Sequence, residues 1–240
     1  MIAGASHALV SARPGGLSRR WAPARTFSGC NRPVPSWRRA TRVLAAPSLE
    51  GLPYPLEELL EEAEAVVERC CRLCTNVRAE VDRSSAGSSD QQLKKVDSSP
   101  VTVADFGVQA LISLELGALF PSVGLLAEED SAELRTGGPN WGMSPLVPVI
   151  VRHVNGVAGG EDLDQEAVLA AIDRGKHAGG GDEPYWILDP IDGTRGFLRG
   201  GEAQYAVGLA LAYRGEVVLG VMGAPNFPRL VGLEGPGWPA

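Results

Sequence analysis

From residue 56 to residue 119 the apolar positions recur at helical spacing, and from residue 124 onward they also gather into short runs, so helices should precede and then flank strands. Leu56, Leu59, Leu60, Ala63, Val67, Cys70, Cys71, Cys74 and Val77 form one stripe, which predicts a helix from about Leu56 to Ala79 introduced by Pro53 and Pro55. The run Ser84 to Ser89 reads as a flexible loop. Val108, Leu111, Ile112, Leu116 and Leu119 predict a second helix, Ala104 to Leu119, which stops before Pro121 and leads into a strand from Gly124 to Ala127. Residues 136–160 are rich in Gly and Pro without a clear period, and a variable insert is expected there. Asp164 should cap a short helix ending at Gly175, and Gly179 to Gly181 should form a loop before a strand at Trp186–Leu188. Tyr205–Tyr213 and Glu216–Met222 read as two strands joined across Arg214-Gly215 in a hairpin. Helices packed on an antiparallel sheet make an α+β lobe.

The chemistry concentrates where the Trp186 strand ends. Asp189 follows the apolar run, and Pro190 should turn the chain so that Asp192 comes back toward Asp189 with the Ile191 carbonyl left free to face the same centre. Two carboxylates and a carbonyl are hard oxygen ligands of the kind magnesium takes, one or two from a segment, so further acidic groups should come from elsewhere. Glu128, in Leu125-Leu126-Ala127-Glu128-Glu129-Asp130 at the polar end of a short strand, is the best candidate; its bland counterpart is a solvated acidic loop. Gly193 allows close backbone approach, and Thr194 brings an N–H and a hydroxyl to a point where a helix can start, as a phosphate requires. Asp105 keeps two roles open. With Thr102 three residues earlier it reads as the end of a capping box, or it is a base or a third metal ligand approached by Lys94–Val103.

Taken together, Ser99-Pro100-Val101-Thr102-Val103-Ala104-Asp105, Ala127-Glu128-Glu129-Asp130 and the stretch from Asp189 to Gly200 resemble the inositol monophosphatase superfamily. Gly196-Phe197-Leu198-Arg199-Gly200, Gln204-Tyr205-Ala206-Val207 and Ala171-Ile172-Asp173-Arg174-Gly175-Lys176 narrow the resemblance to 3'(2'),5'-bisphosphate nucleotidases of the plant and algal type. The resemblance implies an inositol-monophosphatase-like sugar phosphatase fold and removal of the 3'-phosphate of 3'-phosphoadenosine 5'-phosphate, with the sulfated analogue as a further substrate and a place in sulfur metabolism. It also implies that Glu128, Asp189, the Ile191 carbonyl and Asp192 hold two or three Mg2+ ions, that Asp105 and Thr194 position and deprotonate the attacking water, and that Gly193 and Thr194 meet the substrate. Two departures accompany it. Gly201-Glu202-Ala203 lengthens a loop before Gln204, and the match is expected to end near Pro228, leaving the second α/β lobe with its Trp-Asp-x-Ala metal motif largely missing. The expected division is therefore a disordered leader at 1–49, an N-terminal lobe at 50–228 and an irregular tail at 229–240, with apolar surface exposed along the Tyr205–Met222 strands.

Composition adds a location. Residues 1–49 carry eight arginines and no acidic residue, leaving fourteen of the 22 basic residues against all 29 acidic ones, a net of −15 for the remainder. An acid-free, Arg- and Ser-rich leader without a continuous apolar core fits a transit peptide, to the chloroplast on the resemblance and to the mitochondrion as the alternative. The acidic remainder excludes nucleic acid as a partner and leaves a small nucleotide bisphosphate, and no 18-residue uncharged apolar run predicts a membrane span. Oligomeric state is left open.

Of the four cysteines, Cys70, Cys71 and Cys74 fall on the first helical stripe, as small buried hydrophobes or as a redox switch through Cys71 and Cys74; zinc lacks a second ligand pair. His7, His153 and His177 stand near no plausible nucleophile and read as solvated. Arg195 and Arg199, just past the turn, either contact phosphate or lie exposed. A haloacid-dehalogenase-type nucleophile needs its second aspartate two positions on, whereas Asp189 and Asp192 are three apart, and an EF-hand fails for want of alternating oxygen ligands. The remaining alternatives are an inositol phosphate phosphatase of the same superfamily and a catalytically silent metal-binding lobe.

Overall fold

The computed structural model describes residues 40–41, 49–87, 100–137, 142–160 and 162–227. In chain order the elements are β1 (Ala40–Thr41), α1 (Leu56–Gly87), α2 (Pro100–Leu119), β2 (Gly124–Leu126), α3 (Ala132–Thr136), α4 (Leu146–Asn155), α5 (Gln165–Asp173), β3 (Tyr185–Asp192), α6 (Thr194–Arg199), β4 (Ala206–Tyr213) and β5 (Glu216–Gly223). The strands form one sheet in the order β1-β5-β4-β3-β2. The α+β class is as expected, and the sheet is antiparallel except that β2 and β3 run parallel, Leu125 opposite Trp186 and Leu126 opposite Ile187. A parallel pair needs a long crossover, and α3, α4 and α5 supply it.

Helix α1 starts where the stripe starts but runs through Gly87, so the first residues of the expected Ser84–Ser89 loop are helical. Once a helix is nucleated, each further residue adds one hydrogen bond, and serine does not break it. Helix α2 begins at Pro100, a residue suited to the first helical position because its missing N–H is not needed there. Thr102 therefore lies inside the helix, and the capping-box reading of Thr102 and Asp105 is overturned. By length and hydropathy Thr102–Leu119 could pass for a membrane span; it is mostly buried, packed on α1, α4, α5 and β3, and that burial accounts for its composition.

Residues 136–160 are not the irregular insert expected. Helix α4 occupies their second half, with Val147, Ile150, His153 and Val154 buried on one face. Pro148 masks the pattern, yet it stands third in the helix, where proline breaks no hydrogen bond. Asp164 caps α5 as expected, accepting from the Ala167 N–H at 2.8 Å. The hairpin turn is also as expected: Arg214 and Gly215 both take positive φ, 50° and 76°, the pairing that matches the twist of two-residue hairpins.

Helix α1 lies along β4 and β5, and α2 along β3. Trp186, Phe120, Leu73, Leu111, Ile112 and Leu211 are among the largest fully buried side chains of the common core. Burying each such side chain contributes about 1.5–3 kcal/mol. The expected apolar exposure along β4 and β5 does not hold: Val207, Leu209, Leu211, Tyr213, Leu219 and Val221 are buried, and only Val217 and Met222 among their large apolar side chains are exposed. Cys70, Cys71 and Cys74 are buried and free, and burial raises all three thiols, Cys71 to about 12, so none is a reactive thiolate near neutral pH. Within the stretch expected as disordered leader, Ala40 and Thr41 pair with Met222 and Val221 of β5. The remaining leader residues and the tail from 228 onward lie outside the described residues.

Candidate active site

Strand β3 does not turn at Pro190. It continues to Asp192, and the irregularity takes another form: Asp189 is opposite Gly208 and Asp192 opposite Ala206, three steps on β3 against two on β4. That is a β-bulge. In a regular strand residues three apart face opposite sides of the sheet, and the extra residue brings Asp189 and Asp192 to the same one. Both are exposed, while Pro190 and Ile191 between them are buried. Proline has no N–H to contribute to a ladder, which makes a bulge one of the few strand positions it occupies without loss.

The parallel pairing supplies the third carboxylate. The β2–β3 pairing ends at Leu126 and Ile187, and the chain that leaves β2 carries Glu128 toward the continuation of β3 that carries Asp189. Asp189 reports this proximity. Burial first, then Asp192 and Glu128, raise its carboxyl above the ordinary range, and a hydrogen bond from the Ile191 backbone opposes them. Helix α2 brings Asp105, half-buried, to the same place, where burial and the charges of Glu129, Asp189 and Glu128 push it up to about 7. Glu129 is raised by burial, Glu128, Asp130 and Glu133. Glu128, Glu129 and Asp189 thus come near Asp105, and Glu128 and Asp192 come near Asp189; Glu129 was not among the expected residues.

Backbone and side-chain bonds hold the acidic segment. After β2 the Ala127 N–H donates to the Gly175 carbonyl at 2.9 Å and the His177 N–H to Leu125 at 2.9 Å. Gln109, fully buried on α2, donates from Nε2 to the Glu129 carbonyl at 2.6 Å and to the Ile172 carbonyl at 2.8 Å, and its Oε1 accepts from the Glu129 N–H at 3.0 Å. Farther along, Ser131 donates its N–H and hydroxyl to Asp173 at 3.0 and 2.7 Å. Burial alone would raise Asp173, but Ser131 and Lys176 outweigh it and hold the carboxyl below its ordinary value. Arg135 pairs with Glu166 at 2.8 Å and reaches Asp173 at 3.5 Å. Sequence reasoning missed Gln109; the one signal was an uncharged polar residue four positions after Asp105 in an otherwise apolar run.

Gly193 adopts the left-handed conformation, φ 84°, and α6 starts at Thr194 as expected. The Thr194 hydroxyl donates to the Ile191 carbonyl at 3.3 Å, so that carbonyl is not free as expected but has one of its two lone pairs engaged. The short helix is pinned by its buried Phe197, edge-on to Tyr205 at 5.0 Å and under the Arg78 guanidinium at 5.9 Å; Arg78 Nη1 also donates to the Leu198 carbonyl at 3.4 Å. Arg195 and Arg199 lie exposed. The histidines differ from expectation: His153 is buried on α4 at 3.2 Å from Glu80, and His177 stacks on Tyr185 with ring centroids 4.6 Å apart. Both stand in packed interfaces; His7 lies outside the described residues.

Among the described residues no three His, Cys, Asp or Glu side chains are drawn tightly enough to grip an ion as they stand. The donor set nevertheless fits a hard divalent cation: every group is a carboxylate or carbonyl oxygen, and beyond the effect of burial the carboxyls of Asp105, Asp189 and Glu129 are raised by one another's and their neighbours' negative charges, which a cation would neutralise.

Residues 56–235 match the profile described as the inositol monophosphatase family, seven residues beyond the expected end at Pro228. A relative from Arabidopsis thaliana with the provisional name mitochondrial 3'(2'),5'-bisphosphate nucleotidase is 46% identical over 213 residues, covering 82% of this chain and 49% of its own. A 3'(2'),5'-bisphosphate nucleotidase from Oryza sativa is 42% identical over 182 residues, 73% of this chain and 48% of its own. The protein named 3',5'-bisphosphate nucleotidase 2 from Arabidopsis thaliana is 43% identical over 176 residues, 70% of this chain and 48% of its own. The chain spans about half the length of the curated relatives it matches.

Proposed function

This chain belongs to the inositol monophosphatase family, and we propose that it serves a magnesium-dependent phosphatase that removes the 3'-phosphate of 3'-phosphoadenosine 5'-phosphate to give AMP and phosphate. The observation that carries the reading is the convergence of carboxylates from α2, the segment after β2 and β3: the charges of Glu128 and Asp189 act on Asp105, and those of Asp192 and Glu128 act on Asp189. The relatives' names support the nucleotide bisphosphate as substrate.

Glu128, Asp189, the second lone pair of the Ile191 carbonyl and Asp192 would hold the magnesium ions. When bound, such ions make water more acidic and spread the charge that builds on the phosphoryl group. Asp105 takes the proton of the attacking water as its oxygen bonds to phosphorus, and the 3'-oxygen leaves with the electron pair and is protonated by solvent. Burial, the largest cause of its raised carboxyl, does not depend on the neighbouring charges that cations would neutralise, and it keeps Asp105 a stronger base than a solvated carboxylate. Thr194 positions the water through its hydroxyl, whose own proton is committed to Ile191. Gly193, without a side chain, lets the phosphate approach the backbone there.

The test is magnesium-dependent phosphate release across a panel of phosphate esters. The nucleotide bisphosphate should be the preferred substrate, Asp192→Asn should abolish turnover, and lithium should inhibit. Preference for an inositol phosphate would move the chain elsewhere in the family, and absence of turnover on every ester would favour a silent metal-binding lobe.

The leader is proposed to direct import into the mitochondrion. Its arginine-rich, acid-free composition fits either organelle, and the name of the relative at 46% identity supports the mitochondrion over the expected chloroplast. Residues 1–49 fused to a fluorescent protein should label mitochondria; plastid labelling would reverse the assignment.

A further inference from the structure

We propose that Gln109 is a positioning residue that sets the separation between Asp105 and the Glu128–Glu129 carboxylates. The inference rests on the phosphatase reading only for its catalytic consequence; the structural part stands by itself. Asp105 and Gln109 are four residues apart on α2 and so project from the same face of the helix. The chain leaves the sheet at Leu126, and past that point β3 offers Glu129 no backbone partner. The Gln109 amide takes that place, accepting from the Glu129 N–H and donating to the Glu129 carbonyl, the same pair of bonds that a facing strand residue makes in an antiparallel ladder. Its second N–H goes to the Ile172 carbonyl near the end of α5, which also accepts from the Gly175 N–H at 3.1 Å, so the amide takes that carbonyl's second lone pair.

One fully buried side chain therefore ties the helix of Asp105, the segment of Glu128 and the end of α5 into a fixed triangle. The amide orientation has no alternative, since reversing it would set Oε1 against two carbonyls. Room for it comes from Gly175, where a Cβ would stand 2.6 Å from Gln109 Nε2. Without the amide, the Glu129 N–H and carbonyl would lose their partner while Ile172 keeps the Gly175 N–H, and the segment would move toward water to satisfy them, taking its carboxylates away from Asp105.

The test compares the parent chain with Gln109→Leu, with Gly175→Ala, which crowds the amide without altering it, and with Leu59→Ala, a core truncation far along α1 that controls for lost stability. In both site variants the Glu129 amide should exchange roughly tenfold or more faster, and in Gln109→Leu, which leaves Gly175 untouched, the Ala127 amide should keep its protection. Affinity for Mn2+ measured by calorimetry without substrate should fall about 10- to 100-fold in both and stay near parental in Leu59→Ala. With the nucleotide bisphosphate, kcat should fall at saturating magnesium more than KM rises. Parental exchange at Glu129 in Gln109→Leu, or equal Mn2+ loss in Leu59→Ala, overturns the inference. A parent that releases no phosphate yet shows the exchange and Mn2+ pattern overturns the phosphatase reading and leaves the positioning role standing.

Discussion

Glu128 and Asp189 stand side by side because each lies two residues beyond a paired position, Leu126 and Ile187, of the parallel strands β2 and β3. Parallel strands run in the same direction, so side chains equally far past a paired position come to the same end of the sheet, the C-terminal end where α/β proteins commonly place ligands. Asp105 arrives from the helix packed across β3, and Asp192 joins through the bulge.

Asp192→Asn should leave stability within about 0.5 kcal/mol, because the side chain is exposed and fills no core space. Phosphate release should nonetheless fall on the order of a thousandfold if the carboxylate works at the reacting centre. Paired denaturation and turnover measurements separate the two, and a variant that keeps parental turnover removes Asp192 from the site.

Asp105 makes stability depend on pH in a definite direction. Its folded value near 7 lies above the ordinary 3.8, so the folded protein holds a proton that the unfolded chain has lost between those values. Stability from this group is greatest below about pH 4, falls as pH rises toward 7 and is level above, by on the order of 2 kcal/mol after allowance for partial exposure. In magnesium-free buffer Asp105→Asn should flatten that slope, part of which remains with the raised Asp189, Glu129 and Glu115, and be the more stable protein at pH 8. Urea midpoints at pH 4.5, 6 and 8 read it directly, and a wild-type slope unchanged by the substitution would refute the assignment.

Arg69 and Glu115 tie α1 to α2 through an ion pair, with Arg69 Nε 2.9 and 2.8 Å from the two carboxylate oxygens and Nη2 also in contact. Burial still raises Glu115 above its ordinary range, so desolvation exceeds what the arginine returns. Arg69→Met alone should cost about 3–5 kcal/mol by stranding a buried charge, whereas Arg69→Met with Glu115→Leu should come close to parental stability. A double-mutant cycle by chemical denaturation measures the difference.

Gly196 lies against the backbone of Gln204 so closely that a Cβ would overlap the Gln204 carbonyl oxygen. Gly196→Ala should therefore displace α6 and cost about 3 kcal/mol, losing activity even at temperatures where the fold persists. Gly220→Ala meets nothing within 4 Å and serves as the comparison on a neighbouring strand. Equal melting temperatures for the two variants would show that α6 has more freedom than its packing indicates.

Local chemistry was readable wherever neighbours along the chain suffice to specify it. The stripe of α1 from Leu56, the Asp164 cap, the Arg214-Gly215 turn and the start of α6 at Thr194 each depend on a few adjacent residues, and each is found where the pattern places it. Asp189, Asp192 and Glu128 were legible too, as carboxylates at the polar ends of apolar runs. Helix α4 was hidden because Pro148 and the surrounding glycines carry a loop composition even though the proline sits where a helix tolerates it. The bulge at Pro190, the parallel register of β2 on β3 and the grip of Gln109 on Glu129 leave no periodic trace. Each is a contact between segments distant along the chain, made favourable by burial and by hydrogen bonds that become available only once the helices have packed on the sheet. The acidic groups are thus a property of the primary structure, and their convergence is a property of the fold.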